Sequence, residues 1–435
     1  MLDPRPRINN QGLTRVQAEP TDFDPLRFWS EQASLHWGDR PALRTLYGEY
    51  DLNFHAREAD GSESVLKVMR VDCRPAEIDY QIQLISRLTD TEGVPVPGVI
   101  STRDGQAFAE IEDTEGRRRL VWRVALLPGS TLDQHAPTAR LIAEIGTMTA
   151  RMHEALRDFQ HPSLDRTIKW DLTAADWISE HRDVFDDQPE FQAQIEALLQ
   201  WYRAEGQPLL KALPQQAIHN DLNQQNLLAR AIPGAGPSLS GVIDFGDSLY
   251  NPRIADLAIA GAYLAMDQEQ PIEALAALVS GYRKEAALTA EEVEALWPLV
   301  LMRLAVSVTN SGLRKVEFPD DPYVVISERP ALALLQRARD MDDRFVALRL
   351  RQAAGLPVSP PCPKLPEHLE ARMFEVDLAG AAILDLTPDN LRLSANQSHP
   401  RAEELDAVVD AALGAGGPVL GRYGEARLIY GGESF

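Results

Sequence analysis

A pair of short segments near the middle of the chain constrains the fold more than any other feature. Residues 217–226 have the sequence Ala-Ile-His-Asn-Asp-Leu-Asn-Gln-Gln-Asn, in which the aspartate of a His-x-Asp triplet is followed five residues later by Asn226. Soon afterwards, the segment Gly-Val-Ile at 241–243 leads into Asp244-Phe245-Gly246. Chance rarely produces both patterns together, and they predict a loop followed by a short strand that delivers Asp244 in a turn.

The residue types in these segments are typical of phosphoryl transfer, and their spacing is that of a kinase catalytic loop. Moving a phosphoryl group from a nucleotide to a hydroxyl requires metal ions on the phosphate oxygens and a carboxylate that orients the acceptor. We predict that Asp221 is this carboxylate, and that Asn226 and Asp244 supply oxygen ligands for Mg²⁺. His219 is interpreted as a buried histidine that pins the loop.

Length and charge limit the class of protein. A chain of 435 residues suggests two or three units, and a net charge of −22 argues against nucleic-acid or anionic-membrane partners. Cys73 and Cys362 are too few for a disulfide framework, and the first residues lack the apolar core of a signal peptide. The longest apolar run, residues 297–308, contains Arg303 and is too short to span a membrane. We therefore expect a cytoplasmic protein.

The N-terminal part is predicted to be rich in strands. After a helix near 26–37, a hairpin ends in a strand that carries Lys67 between apolar residues. Lys67 is interpreted either as the lysine that binds nucleotide phosphates or as an edge-strand lysine facing water, and its position ahead of the catalytic loop favours the first. The helix predicted over 75–88 offers Gln81 or Glu77 as its partner.

A hinge is predicted where the strands end. Strand-like segments near 99–100, 107–111 and 119–127 lead into Leu-Pro-Gly at 127–129. A purine base at such a hinge would contact main-chain groups near Ala125 and Leu127.

The remainder of the chain is predicted to be mainly helical. Helices are expected over 141–156, 188–204, 253–266, 289–311 and 330–349. Asp256 lies inside the apolar third helix, so it either ties down the catalytic-loop backbone or marks a helix that is more exposed than its composition suggests. A proline-rich linker follows residue 357, and the tail contains strand-like 382–386 and 426–430 around a helix near 402–413.

With these motifs in view, residues 40 to 350 resemble the aminoglycoside phosphotransferase / choline kinase superfamily. The features that carry this resemblance are His219-Asn220-Asp221-Leu222 with Asn226, Ile243-Asp244-Phe245, Lys67 in its strand, the 127–129 hinge, and the helix ending in Met-His-Glu-Ala-Leu at 152–156. The resemblance implies an α+β, two-lobed, protein-kinase-like fold with a small β-rich N-lobe and a larger helical C-lobe. The implied domains are an extension (1–40), N-lobe (41–126), C-lobe (127–350) and linker with a small α/β connector region (351–435).

Within the superfamily, the chain is more similar to hydroxylysine kinase and its bacterial relatives. Residues 48–54, 170–172 and 319–335 carry this likeness. The first of these segments stands where a loop covering the nucleotide would lie, which makes Gly48 and Asn53 candidates for nucleotide binding. The neutral Gln81 departs from the family pattern, because it leaves Lys67 without an obvious anionic partner.

The segment 421–430 resembles a connector in long bacterial proteins. In those proteins, such a kinase is joined to a peptidase-M23-like module and a class III, pyridoxal-phosphate-dependent aminotransferase or phospholyase. The resemblance implies that this chain is the amino-terminal part of a longer polypeptide.

The resemblance implies transfer of the γ-phosphoryl of ATP or GTP to the hydroxyl of an amine-bearing metabolite, such as 5-hydroxylysine or another amino alcohol. Asp247, Trp170 and Asp171 are expected to shape the acceptor side, because a cationic amine favours carboxylates and an aromatic face. Two alternatives stay open: a kinase of aminoglycoside antibiotics, and a nucleotide-binding pseudokinase module. Gln81 mildly favours the pseudokinase, whereas the presence of the proposed base, metal ligands and lysine opposes it.

Overall fold

The computed structural model describes residues 24–48, 50–185, 189–266, 268–317, 328–341 and 343–356, together with three short strands in the tail. These residues divide into two compact units. The first comprises Met1–Pro75 and Gly98–Leu126, and the second comprises Ala76–Pro97 and Leu127–Phe435. The chain thus passes from the first unit to the second at the segment predicted to be a hinge.

The first unit is a five-stranded antiparallel sheet covered by one helix, α1 (Pro25–Trp37). Its strands are β1 (Ala42–Leu46), β2 (Leu52–Arg57), β3 (Glu63–Val68), β4 (Phe108–Glu112) and β5 (Arg118–Ala125), in the order β1-β2-β3-β5-β4. The helix starts at Asp24, whose side chain accepts a hydrogen bond from the N–H of Leu26 at 2.9 Å.

Alternation along the strands explains the core of this unit. Phe54, Leu66 and Val68 point to the buried face of the sheet, where they pack with Trp29 and Trp37 of α1. The helix therefore belongs to the core of the first unit, although it lies in the range assigned to an N-terminal extension. Strand β1 was not predicted. The edge-strand interpretation of Lys67 is wrong, because β3 is paired on both sides, with β2 and β5.

The second unit is mainly helical. Its helices are α2 (Pro75–Thr89), α3 (Ala139–Leu156), α4 (Pro189–Trp201), α5 (Gln207–Ala212), α6 (Ile254–Ala265), α7 (Pro271–Arg283), α8 (Ala290–Glu317), α9 (Glu328–Ala338) and α10 (Asp343–Ala354). Its small sheets contain β6 (Ser130–Thr131), β7 (Gln215–Ile218), β8 (Leu227–Ile232), β9 (Gly236–Val242) and β10 (Leu249–Pro252). The expected combination of a strand-rich part and a larger helical part is confirmed.

Helix packing in this unit depends on two glycines. A Cβ atom on Gly146 of α3 would lie 2.0 Å from the carbonyl oxygen of Leu278, and one on Gly281 of α7 would lie 2.1 Å from that of Ala143. Such distances are far below van der Waals contact, so α3 and α7 approach closely only because both positions lack a side chain. Helix α7 was not predicted, and the single helix expected over 330–349 is two helices, α9 and α10.

Helix α8 corrects the expectation that no segment is long enough to span a membrane. Its residues Ala290–Lys315 are long and apolar enough by length and composition, and 78% of its 18-residue apolar window is buried inside the structure, as in a core helix. The helix starts at the predicted capping box, in which the N–H of Thr289 donates to Glu292 and the N–H of Glu292 donates to the Thr289 hydroxyl. A cytoplasmic location stays a prediction.

The tail contributes a small sheet of β11 (Ala382–Asp385), β12 (Val419–Tyr423) and β13 (Ala426–Tyr430). Strands β11 and β12 are parallel, and β12 and β13 form an antiparallel hairpin. The predicted connector segment lies in this hairpin, and its link to downstream modules stays a prediction. Cys362, the expected helix at 402–413 and residues 319–323 lie outside the described residues.

Candidate active site

The catalytic loop joins β7 to β8, and its central residue, Asp221, is held by three donors. Oδ1 accepts a hydrogen bond from Nη2 of Arg303 at 2.9 Å. Oδ2 accepts from Nδ2 of Asn223 at 2.9 Å and from Nδ2 of Asn226 at 2.8 Å. The carboxylate is therefore fixed in orientation, yet 17% of its side chain remains exposed.

The loop backbone is anchored from α6 by Asp256, which is fully buried. Its carboxylate accepts from the main-chain N–H of His219 at 2.9 Å and of Asn220 at 2.6 Å. It also contacts Nε2 of His153 at 3.0 Å. A buried carboxylate needs such donors, because burial without them is costly. These contacts tie the residues just before Asp221 to the helical core.

His219 links the loop to the segment that carries Asp244. Its Nε2 lies 3.0 Å from the carbonyl oxygen of Ile243, and its ring centroid lies 4.7 Å from that of the buried Phe245. The N–H of Ile243 donates in turn to the carbonyl oxygen of Asn226 at 2.9 Å. Asp221 and Asp244 are thus positioned by one connected network.

Two non-glycine residues in the described part of the chain have left-handed backbones, and both lie here. Asn220 has φ of 66° and Asp244 has φ of 64°. Asparagine and aspartate tolerate this conformation better than most side chains, but it still costs free energy. Such strain is concentrated at functional sites, which supports the assignment of these loops to the active site.

The oxygen atoms near Asp221 suit a hard divalent cation. Both hydrogen bonds from Nδ2 of Asn226 go to Asp221, which leaves the Asn226 side-chain oxygen as its remaining ligand atom. Asp244 contributes an exposed carboxylate at the end of the short strand. Amide and carboxylate oxygens are the ligands that Mg²⁺ prefers, so these residues fit the ion.

The carboxyl group of Asp247 has a raised pKa in this environment. Its pKa is raised from 3.8 to about 7, first by burial and then by the carboxylates of Asp221 and Asp244. The guanidinium groups of Arg166 and Arg303 act in the opposite direction. Three carboxylates and two arginines therefore share one electrostatic environment.

Arg303 is the most informative residue that the sequence analysis did not assign to the site. It lies in the middle of α8 and is 1% exposed. Its guanidinium stacks on the ring of Trp170 at 4.7 Å and lies 5.4 Å from the ring centroid of Tyr263, whose hydroxyl is 3.2 Å from Nη2. The signal available in the sequence was a single charge within the apolar run 297–308.

Arg166 was also missed, and it fixes the turn that follows Asp244. Its Nη2 donates to the carbonyl oxygens of Gly246 at 2.6 Å and of Ser248 at 3.2 Å. The same nitrogen donates to the hydroxyl of Tyr80, on α2, at 2.7 Å. Nothing in the surrounding sequence distinguishes this arginine from a surface residue.

The two other residues assigned to the acceptor side differ in their contacts. Trp170 reaches the site through its stacking on Arg303. Asp171 is 4% exposed, and its Oδ1 accepts from the N–H and hydroxyl of Thr173 and from Nδ2 of Asn251. These contacts are those of a cap for the turn that follows. The expected role of Asp171 in substrate binding stays a prediction.

The nucleotide-binding candidates of the first unit lie in and around its sheet. Nζ of Lys67 on β3 lies 5.6 Å from the ring centroid of Trp122 on β5. Asn53 donates from Nδ2 to the carbonyl oxygen of Tyr47, across the turn that contains Gly48. A Cβ on Gly48 would lie 2.2 Å from the carbonyl oxygen of Asp51, so this tight turn requires glycine. The N–H of Ala125 is taken by the carbonyl oxygen of Gly98 at 2.8 Å.

The candidates in the second unit are Gln81 and Glu77 on α2, and Leu127. Gln81 is buried, and its Nε2 donates to the main-chain carbonyl of Glu77 at 2.8 Å. Leu127 follows directly on the last residue of the first unit. The partner of Lys67, whether Gln81 or Glu77, and the roles of all these residues in nucleotide binding stay predictions.

Comparison with known proteins supports the chemistry indicated by this geometry. Residues 42–296 match the phosphotransferase enzyme family, APH. The chain belongs to this family. It is therefore a phosphotransferase, and its relatives indicate a hydroxyl group as acceptor. The predicted likeness to hydroxylysine kinases is confirmed: the chain is 27% identical to hydroxylysine kinase of Danio rerio over 323 residues, which covers 72% of this chain and 90% of the relative.

Two further relatives illustrate the range of this family. Homoserine kinase of Pseudomonas aeruginosa (strain LESB58) is 30% identical over 234 residues, or 52% of this chain and 66% of the relative. The solved structure of a microcompartment-associated aminopropanol kinase superimposes with a TM-score of 0.54 at 22% identity, covering 74% of this chain and 99% of that one. This match confirms the predicted kinase-like, α+β fold of this phosphotransferase.

Proposed function

We propose that this phosphotransferase transfers the γ-phosphoryl of ATP or GTP, with Mg²⁺, to the hydroxyl of an amine-bearing metabolite of the hydroxylysine or amino-alcohol class. The observation that carries the proposal is the fixed orientation of Asp221 beside two residues suited to Mg²⁺. The relatives named hydroxylysine, homoserine and aminopropanol kinase support the acceptor class.

In this proposal, Asp221 accepts a hydrogen bond from the acceptor hydroxyl and directs its oxygen toward the γ-phosphorus. As this oxygen bonds to phosphorus, the bond to the β-phosphate oxygen breaks, the nucleoside diphosphate leaves and the hydroxyl proton passes to Asp221. Little proton removal is needed before bond formation, because phosphoryl transfer proceeds through a loose transition state. Asn226 and Asp244 would hold the Mg²⁺, which would neutralise charge on the phosphate oxygens. Asp247 binds the ammonium group of the acceptor in its ionised form.

A nucleoside-diphosphate release assay tests the proposal. The enzyme is assayed with Mg²⁺ and with ATP or GTP against 5-hydroxylysine, homoserine, threonine, ethanolamine, choline and kanamycin. We expect release that depends on an acceptor, and a loss of roughly 10²- to 10⁴-fold in kcat for Asp221→Asn. The exposed Asp158→Asn is the matched control and should keep full activity.

Three outcomes contradict parts of the proposal. Full activity of Asp221→Asn removes this residue from the catalytic role. Phosphorylation of kanamycin alone makes the chain an antibiotic kinase. Nucleotide binding without turnover on any acceptor indicates a pseudokinase.

A further inference from the structure

Arg303 has donor groups that the described residues leave unused. Nη2 contacts Asp221 and Tyr263, whereas Nε and Nη1 are buried and have no hydrogen-bond partner in the described part of the chain. A guanidinium group has five N–H donors, and leaving buried ones unpaired is costly. Proteins rarely retain such a group without a ligand, a water or a functional reason.

The position of this arginine indicates the chemistry of the missing partner. The guanidinium lies directly against the proposed base, Asp221, so any group that binds it lies beside the acceptor hydroxyl. A guanidinium is suited to carboxylate and phosphate oxygens, because its planar donors match their geometry. The transferred phosphoryl group is proposed to lie with Asn226 and Asp244, which leaves a carboxylate of the acceptor for Arg303.

We propose, on the basis of the proposed function, that the acceptor is a hydroxy amino acid whose carboxylate binds Arg303, as its ammonium group binds Asp247. Arg303 is then a specificity-determining residue that separates amino acids from amino alcohols and from polycationic sugars. Both unpaired nitrogens are shielded from solvent, and the half-buried Trp170 ring covers one face of the guanidinium. The proposal requires this ring to move aside so that a carboxylate can reach them.

Matched pairs of acceptors that differ by the carboxylate test this proposal. L-homoserine is compared with 3-aminopropan-1-ol, L-threonine with 1-aminopropan-2-ol, and 5-hydroxylysine with 1,5-diaminopentan-2-ol. For the pair that contains the preferred acceptor, we expect kcat/KM to be roughly 10- to 100-fold higher for the amino acid. A ratio near one in the wild-type enzyme overturns the proposal, and it leaves the proposed kinase function intact.

Variants then assign the preference to Arg303. Arg303→Lys and Arg303→Gln disturb Asp221, so activity should fall with both acceptors of a pair. The informative quantity is therefore the ratio of kcat/KM for the amino acid to kcat/KM for the amino alcohol. We expect this ratio to fall toward one, mainly through KM of the amino acid. Arg253→Lys is the matched control, because Arg253 is a partly buried arginine whose Nε and Nη2 are paired with Glu292. Its ratio should stay at the wild-type value.

Two results overturn the role of Arg303. If kcat/KM falls by the same factor for both members of each pair, Arg303 only positions Asp221. If the ratio of the two kcat/KM values falls to one only in Arg166→Lys, Arg166 binds the carboxylate instead. If no acceptor is phosphorylated, the proposed function fails. Calorimetric titration of the same pairs into the protein with Mg²⁺ and a non-hydrolysable nucleotide then tests Arg303 by binding alone, and equal affinities overturn the proposal.

Discussion

Asp256 accepts hydrogen bonds from the main-chain N–H of both His219 and Asn220, at 2.9 and 2.6 Å. A fully buried carboxylate on α6 thereby sets the path of the backbone that enters the proposed catalytic position, one residue later. The arrangement separates two tasks, because Asp256 positions the loop from the core, whereas the partly exposed Asp221 is proposed to meet the substrate.

We expect Asp256→Asn to lower both stability and activity. The amide keeps one acceptor oxygen but places an NH₂ group against N–H donors and His153, so about 3–5 kcal/mol of unfolding free energy should be lost. Displacement of Asp221 should lower kcat by roughly 10²-fold. Urea unfolding and steady-state kinetics measure the two effects, and Asp158→Asn is the neutral control. Unchanged kcat in a destabilised variant would limit Asp256 to a structural role.

Asp244→Asn should weaken metal-dependent nucleotide binding. The substitution keeps the size of the side chain and removes the charge that faces Mg²⁺, so affinity for the magnesium nucleotide should fall roughly 10- to 100-fold. Calorimetry in the presence of Mg²⁺, and again after its removal with a chelator, separates the two contributions. Equal affinity of variant and wild type in Mg²⁺ would exclude Asp244 as a metal ligand.

Asp247→Asn should stabilise the metal-free protein more at pH 8 than at pH 5. The folded-state pKa of Asp247 is raised from 3.8 to about 7, so the folded protein binds more protons than the unfolded chain between these values. The stability that this group contributes therefore falls as pH rises through that window. Above the window, the full cost of the half-buried charge is present. The asparagine removes this cost.

Thermal unfolding of wild type and variant at both pH values, in a chelator, measures the difference. We expect the variant to gain a few degrees in Tm at pH 8. A gain that does not depend on pH would show that the ionisation of Asp247 is not its cause.

Gly146→Ala should destabilise the second unit, because its Cβ would lie 2.0 Å from the carbonyl oxygen of Leu278. Helices α3 and α7 would have to separate, at a cost of about 1–3 kcal/mol. Gly98→Ala is the matched control, since its Cβ would meet open space. Denaturant unfolding of the two variants measures the contrast, and equal stabilities would contradict the close packing of the helices.

The sequence alone predicts candidate site residues where these follow a local spacing, and their roles stay predictions. Asp221, Asn226 and Asp244 were predicted together because their roles depend on one loop and one short strand. Arg303 contacts Asp221 across 82 positions of the chain, so the relation is created by the packing of α8 and leaves no local pattern. The contact between Asp171 and Asn251 could not be predicted for the same reason, because the two residues are far apart in the chain.

The boundaries of helices and strands also separate into those set by local sequence and those set by tertiary contacts. Helices α1, α2, α3 and α8 have a clear apolar face or a capping box, and they were predicted to within a few residues. Strand β1 has little alternation in burial and was missed. Lys67 shows how strand pairing decides between interpretations, since only the pairing of β3 on both sides excludes an edge strand.

The contact between Asp221 and Arg303 has a practical consequence for the design of truncated and chimaeric forms of this protein. The family match ends at residue 296, seven positions before Arg303, whereas Asp221 lies well inside it. A shortened gene product bounded by the match would keep the base and both proposed metal ligands but lose the guanidinium that contacts the base. A chimaera that exchanges the C-terminal helices between relatives must therefore transfer these two residues as a unit.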